Sequence, residues 1–117
     1  SYDSWYLGGH SLGGAMISTF AAKHYTEVDG LFLLASYTTK DLSHSSLSVL
    51  TIYGSNDGVL NRKNLEKQMD LLPAHHAEIC IKGGNHAQFG SYGHQKGLLS
   101  REEQISQTVD AFFDFFF

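Results

Sequence analysis

Trp5-Tyr-Leu-Gly-Gly-His-Ser-Leu-Gly-Gly14 is the stretch of sequence that decides the fold of this chain. Its first four residues are aromatic and apolar, which is typical of a short buried strand. The glycines that follow permit a sharp turn, because glycine adopts backbone angles that other residues avoid. From Leu12 to Tyr25 apolar residues then recur at helical spacing. The stretch therefore predicts a strand that passes through a tight turn directly into a helix.

The rest of the chain continues this alternation of strand and helix patterns. Strands are predicted at 31–35, 49–53 and 77–82. Helices are predicted between Asn61 and Pro73 and from the capping residue Ser100 to the end of the chain. Such alternation is typical of an α/β fold with a mostly parallel sheet of about four strands flanked by helices.

Composition limits the kind of protein and the kind of partner. Of the 117 residues, 42% are apolar and 17% are charged, which fits one globular domain over residues 1–117. The net charge of -4 and the lack of a basic run argue against nucleic acid as a partner. The apolar run at 30–36 is too short to span a membrane. Cys80 is the only cysteine, so no internal disulfide is expected. The cellular compartment stays open, with the cytoplasm as the default.

The pattern Gly9-His10-Ser11-Leu12-Gly13 matches G-x-S-x-G, in which a strained turn between a strand and a helix presents a serine hydroxyl. This motif lies between the predicted first strand and the predicted helix, and a further glycine, Gly14, follows it. A serine hydroxyl is a weak nucleophile at neutral pH and needs a base that is oriented by an acid. Ser11 is therefore the candidate nucleophile, and its partners should follow it in the chain.

The candidate acid is Asp57, which comes directly after the strand predicted at 49–53. A carboxylate at the carboxyl end of a buried strand is held rigidly near the edge of the sheet where sites form. The alternative is that Asp57, which precedes Gly58, only shapes a turn. Asp41, after the preceding strand, is the reserve candidate for the acid.

The candidate base is His86, in a glycine-rich loop after the last predicted strand. His94, farther along the same loop, is the reserve. His75 and His76 are predicted to lie in the connection before that strand. They do not predict a metal site, because adjacent residues do not face one ion and no third ligand is evident. No metal and no cofactor are expected.

Ser11, Asp57 and His86, in this order, resemble the catalytic residues of the α/β-hydrolase superfamily, and 8–14 is similar to the elbow of its lipases and esterases. The resemblance implies a serine hydrolase that acts on a carboxylic ester or related small acyl substrate through an acyl-enzyme. Thioesters, amides and carbon–carbon bonds stay open as alternatives. The resemblance also implies that this chain supplies strands 5 to 8 of a longer sheet and lacks the N-terminal half of the fold.

The same resemblance implies an oxyanion hole with two backbone donors. One donor is the N–H of Leu12, while the second comes from a loop after the third strand and has no counterpart here. His10, Tyr37 and Phe89 are candidates for contacts with the substrate, although aromatic rings serve equally well in ordinary packing.

A second hypothesis concerns the first strand, which would normally lie beside an earlier one. An unpaired edge invites association with another chain, so self-association through this strand is expected. The chain would then be a catalytically weak or inert fragment that functions by association with a complementary chain.

Overall fold

The computed structural model describes residues 3–86, 89 and 99–117. Its elements, in chain order, are β1 (Tyr6–His10), α1 (Leu12–Lys23), β2 (Gly30–Leu34), β3 (Ser48–Gly54), α2 (Arg62–Lys67) with a following 3-10 turn (Gln68–Leu71), β4 (His75–Ile81) and α3 (Arg101–Phe116). This order confirms the predicted alternation of strands and helices. No helix among the described residues is long and apolar enough to cross a membrane.

The four strands form one sheet in the order β1-β2-β3-β4, and every neighbouring pair is parallel. The predicted α/β class with a parallel sheet of about four strands is therefore confirmed. Because the strands are parallel, their carboxyl ends meet at one edge of the sheet. Ser11 follows β1 directly, while Asp57 and His86 follow β3 and β4 within a few residues. The topology alone thus gathers the three candidate residues at the same edge.

The sheet is covered on both faces. Leu31 and Leu33 of β2 point to the face that carries α1, while Phe32 and Leu34 point to the face that carries α3. The α1 side contains residues with no exposure, among them Leu31, Leu33 and Val49. Full burial of each such side chain stabilises the fold by roughly 1.5–3 kcal/mol. The continuous apolar runs in the sequence are explained by this burial on two faces.

Several element boundaries differ from the sequence prediction, and two of the differences change the element to which residues belong. The helix that begins after Asn61 ends at Lys67 instead of continuing to Pro73. The 3-10 turn that follows contains Gln68, which is fully buried. Strand β4 starts at His75, two residues earlier than predicted, because its seven residues pair along the whole length of β3. His75 and His76 are thus strand residues and do not belong to the preceding connection.

Helix α3 begins with the predicted cap, since the Ser100 hydroxyl accepts a hydrogen bond from the backbone N–H of Glu103 at 3.2 Å. Apolar residues recur at helical spacing along α3, and only part of this stripe is covered by the sheet. Phe112 and Phe116 pack against the sheet. Three other members of the stripe stay exposed, namely Ile105, Val109 and Phe113. The apolar stripe of α3 is therefore wider than the part of the sheet, among the described residues, that packs against it.

Candidate active site

Ser11 lies at the junction between β1 and α1. Its backbone angles, φ 56° and ψ -121°, are unusual for a residue with a side chain. A conformation of this kind costs on the order of 1–3 kcal/mol and persists only where its surroundings impose it. The strand imposes it here, because the N–H of Ser11 donates to the carbonyl of Leu34 in β2 at 3.0 Å. The turn therefore projects the serine hydroxyl away from the end of the sheet.

Glycines allow α1 to approach β1 this closely. A Cβ at Gly9 would lie 2.6 Å from backbone atoms of Gly13, and one at Gly14 would collide with the Ser36 side chain. Apart from its chain neighbours and the adjacent backbone of α1, no described atom lies within 4 Å of a Cβ built at Gly13. Close packing therefore explains the glycines at positions 9 and 14, whereas these contacts do not explain the glycine at position 13.

Asp57 is held in the turn after β3, and its side chain is fully buried. One carboxylate oxygen, Oδ1, accepts hydrogen bonds from the backbone N–H groups of Val59 and Leu60, each at 2.8 Å. The other, Oδ2, lies 2.8 Å from Nδ1 of His86. Asp57 therefore shapes the turn and contacts the histidine with the same carboxylate. The two interpretations of Asp57 in the sequence are compatible.

Arg62, which was not predicted as a site residue, supports this turn. Its guanidinium donates to the carbonyls of Gly54 and Ser55, each at 3.1 Å, and lies over the ring of Tyr53 at 4.9 Å. These contacts stabilise the end of β3 from which Asp57 projects. An arginine five residues after an aspartate carries no local signal for such a role, because its targets are main-chain carbonyls.

His86 joins the two other residues. Its Nε2 lies 2.9 Å from Oγ of Ser11, which is 75 positions away in the chain. A carboxylate only accepts hydrogen bonds, so Nδ1–H of His86 donates to Asp57. In the neutral ring Nε2 is then free of a proton and accepts from the Ser11 hydroxyl. This order of donors and acceptors is the one that lets an imidazole remove the proton of a serine.

The backbone around His86 is contacted by two side chains from distant elements. His10 binds the carbonyl of His86, and Gln104 of α3 binds the backbone of Asn85. Burial lowers the pKa of His10 below its usual value, and the nearby imidazole of His86 acts in the same direction. Gln104 was not predicted as a site residue, because a glutamine in the first turn of an amphipathic helix is usually solvated.

A cleft of about 310 Å³ opens beside the hydroxyl of Ser11 and the ring of His86. Leu12 lines it as the first residue of α1, and first-turn N–H groups have no acceptor within their own helix. Tyr37 also lines the cleft, and its hydroxyl accepts a hydrogen bond from Asn64 at 2.9 Å. The cleft thus brings an aromatic ring and the first residue of α1 close to the serine.

Phe89 lies elsewhere, in a cavity of about 320 Å³ between the sheet and α3. The ring of His10 is 6.0 Å from that of Phe89 and 4.9 Å from that of His86. Neither His10 nor Phe89 lines the cleft beside Ser11. Contacts of these two residues and of Tyr37 with a substrate stay predictions.

The reserve candidate for the acid lies apart from this site. Asp41 is exposed and accepts a hydrogen bond from the Ser43 hydroxyl, which lowers the pKa of the Asp41 carboxyl. His94 falls outside the described residues. Within residues 3–86, 89 and 99–117, no group of three or more histidine, cysteine, aspartate or glutamate side chains could hold a metal ion.

Comparison with known proteins gives a family match. The protein-family model for the alpha/beta hydrolase family matches residues 1–109 of this chain. A search of curated proteins found no match. Solved structures with the same fold include a predicted CIB-like hydrolase from Thermoplasma acidophilum, with 19% identity and a TM-score of 0.66 over 92% of this chain. An alpha/beta hydrolase from the metagenome of lagoon sediments at Mar Chica, Morocco, has 17% identity and a TM-score of 0.66 over 97% of this chain.

A serine hydrolase involved in carbazole degradation is similar as well, with 13% identity and a TM-score of 0.69 over 98% of this chain. The match spans only part of these relatives. It covers 49% of the Thermoplasma protein, 62% of the metagenomic enzyme and 64% of the carbazole-pathway hydrolase. At these levels of identity the likeness concerns the fold alone.

Proposed function

Since the chain belongs to the alpha/beta hydrolase family, we propose that it is a serine hydrolase in which Ser11, His86 and Asp57 act as a catalytic triad. The observation that carries this proposal is the unbroken chain of hydrogen bonds through the His86 ring. It runs from Ser11 Oγ to Nε2 at 2.9 Å and from Nδ1 to Asp57 Oδ2 at 2.8 Å. The substrate class we propose is a carboxylic ester or a related acyl compound.

In the proposed reaction, Oγ of Ser11 attacks the acyl carbon while Nε2 of His86 takes the hydroxyl proton. The resulting imidazolium is stabilised by the buried carboxylate of Asp57. His86 then gives the proton to the leaving group, and an acyl group stays bonded to Ser11. Water, activated by the same histidine, attacks the acyl-enzyme and releases the acid.

Negative charge develops on the carbonyl oxygen during each attack. The backbone N–H of Leu12 is the donor that we propose for it, because this group lies at the N-terminus of α1 beside the reacting hydroxyl. Loss of one of two such donors typically lowers turnover about a hundred- to a thousandfold. We therefore expect slow turnover from a site that uses the Leu12 donor alone.

The size and lining of the cleft support a small substrate. Its volume of about 310 Å³ lies at the lower end of the range for small-molecule sites. Apolar side chains, including those of Ala15, Val59 and Leu60, line much of it. The structural neighbours are consistent with this class, since they include a serine hydrolase and metagenome-derived lipolytic enzymes.

The experiment that tests the proposal is intact-mass analysis after treatment with a fluorophosphonate. This reagent needs an activated serine but does not need efficient turnover. One adduct on the wild-type chain, lost in Ser11→Ala and in His86→Ala, is the expected result. Ser43→Ala is the matched control, because the Ser43 side chain is only partly buried and binds only its neighbour Asp41 among the contacts described for it. A folded wild-type chain without an adduct would contradict the proposal.

A second candidate function is association with another chain, and the edge of the sheet favours it. Among the described strands, β1 pairs on one side only. Apolar side chains four residues apart are exposed on the helices of both faces: Leu12, Met16 and Phe20 on α1, and Ile105, Val109 and Phe113 on α3. Unpaired edges beside apolar surface are templates for association. Sedimentation velocity tests association between copies of this chain, and a monodisperse monomer over a wide concentration range would contradict self-association.

A further inference from the structure

The residue that precedes His86 is held by a buried side chain from the far end of the sequence. Oε1 of Gln104 accepts a hydrogen bond from the backbone N–H of Asn85 at 2.9 Å, and Nε2 of Gln104 donates to the carbonyl of Asn85 at 2.8 Å. Gln104 is fully buried and Asn85 is 5% exposed. The amide thus satisfies both backbone groups of Asn85, as a neighbouring strand would.

The packing around this contact leaves little freedom. A Cβ at Gly84 would lie 3.0 Å from Oε1 of Gln104, so the glutamine sits directly against the loop. The carbonyl of Gly84 accepts a hydrogen bond from the N–H of Asn56 at 2.8 Å. The loop that carries the histidine is therefore tied both to α3 and to the turn that carries Asp57.

A second side chain holds the next backbone group. Nε2 of His10 lies 2.6 Å from the carbonyl oxygen of His86, across 76 positions of sequence. A carbonyl can only accept, so His10 donates this hydrogen bond. His10 immediately precedes Ser11 at the end of β1. The contact therefore couples the strand of the serine directly to the backbone of the histidine.

We propose that Gln104 and His10 are positioning residues, which hold the backbone of Asn85 and His86 from two sides so that the His86 ring bridges Ser11 and Asp57. The loop itself is glycine-rich and has weak local preferences, so distant contacts must supply its geometry. The expected effect on the reactivity of Ser11 rests on the proposed function. The expected effect on the hydrogen bond from His86 to Asp57 does not.

Gln104→Met tests the first contact, because methionine has a similar length but forms neither hydrogen bond. Gln68→Met is the matched control. Gln68 is also fully buried, and its amide likewise accepts from a backbone N–H, that of Thr38, and donates to Thr51. Both substitutions remove two buried hydrogen bonds, but only the first is adjacent to His86.

For the second contact, His10→Phe removes the donor and His10→Gln retains one. The measurement is the rate of fluorophosphonate labelling against reagent concentration, at a temperature where circular dichroism shows every variant to be folded. We expect Gln104→Met to lower the maximal labelling rate about a hundredfold, the typical effect of a misplacement of about 1 Å. The half-saturating concentration should change little. Gln68→Met should retain the wild-type rate.

We expect His10→Phe to lower the maximal rate about tenfold, as loss of one hydrogen bond implies, and His10→Gln to recover most of it. Wild-type rates in both Gln104→Met and His10→Phe would overturn the inference. So would an equal loss in Gln68→Met, since that would indicate a general effect of core damage.

Proton NMR separates a failure of this inference from a failure of the proposed function. A proton shared between His86 Nδ1 and Asp57 resonates far downfield and is visible without any reaction at Ser11. We expect this signal in the wild type, Gln68→Met and His10→Gln, and its loss in Gln104→Met and His10→Phe. If the wild type is not labelled at all, the proposed function fails. Retention of the NMR signal in all variants would overturn the positioning roles, whether or not the wild type is labelled. If Gln104→Met does not fold, the pair of His10 variants still decides the outcome.

Discussion

The substitution Asp57→Asn isolates the electronic role of the acid from its role in the turn. In the structure, Oδ1 of Asp57 accepts from the N–H groups of Val59 and Leu60, each at 2.8 Å, and Oδ2 faces Nδ1 of His86 at 2.8 Å. An asparagine can keep both backbone contacts through its carbonyl oxygen. Its amide nitrogen then faces His86 as a donor where an acceptor is needed.

The histidine must respond by changing its tautomer. To accept from the asparagine, Nδ1 has to lose its proton, and Nε2 of the neutral ring then carries one. Nε2 can no longer accept the proton of Ser11, although the heavy atoms barely move. In proteases with this arrangement the same change lowers kcat by about 10⁴-fold. That factor corresponds to about 5.5 kcal/mol of transition-state stabilisation.

The effect on stability should be small by comparison. The two backbone N–H groups keep their acceptor in Asp57→Asn, whereas Asp57→Ala leaves both without one. An unsatisfied buried group typically costs about 1–3 kcal/mol. We therefore expect Asp57→Ala to lower the free energy of unfolding by about 2 kcal/mol or more, and Asp57→Asn to lower it much less.

The assay is the rate of fluorophosphonate labelling at Ser11, combined with urea unfolding of each variant. Asp41→Asn is the control, because Asp41 is exposed and binds Ser43. It should label at the wild-type rate. An Asp57→Asn chain that labels within about tenfold of the wild type, a change of only about 1.4 kcal/mol, would refute the assigned role of the carboxylate.

Three other predictions concern the turn, pH and association. Gly9→Ala should destabilise the chain by about 1–3 kcal/mol in urea unfolding, because its Cβ would overlap the backbone of α1, whereas Gly13→Ala should change little. The pKa of His10 is lowered in the folded state. As the pH falls below about 6.5, His10 therefore binds a proton more readily in the unfolded chain, and the free energy of unfolding decreases. That fall should be smaller in His10→Gln, and an equal fall would contradict the burial argument. Phe113→Lys should shift any oligomer seen in sedimentation toward monomer, because residue 113 belongs to the exposed row on α3; an unchanged distribution would exclude that row from the interface.

The sequence by itself determined the class of the fold and the order of its elements. Apolar runs of strand length alternate with helical patterns, and both signals come from residues close together in the chain. The turn at Ser11 is equally local, since the glycines that permit its unusual backbone angles lie within three residues of it. The prediction that Asp57 and His86 follow the third and fourth strands also needed only the order of elements along the chain.

Only the tertiary structure decided how these residues meet. The contact between His86 and Ser11 spans 75 positions, and those of Gln104 and Arg62 are made with main-chain atoms, which no side-chain pattern encodes. The exposed part of the α3 stripe likewise depends on the width of the sheet beneath it. A local sequence pattern indicates which secondary structure a residue favours. Packing decides which distant backbone groups a buried side chain binds, because buried polar groups form hydrogen bonds with the partners that the folded chain places beside them.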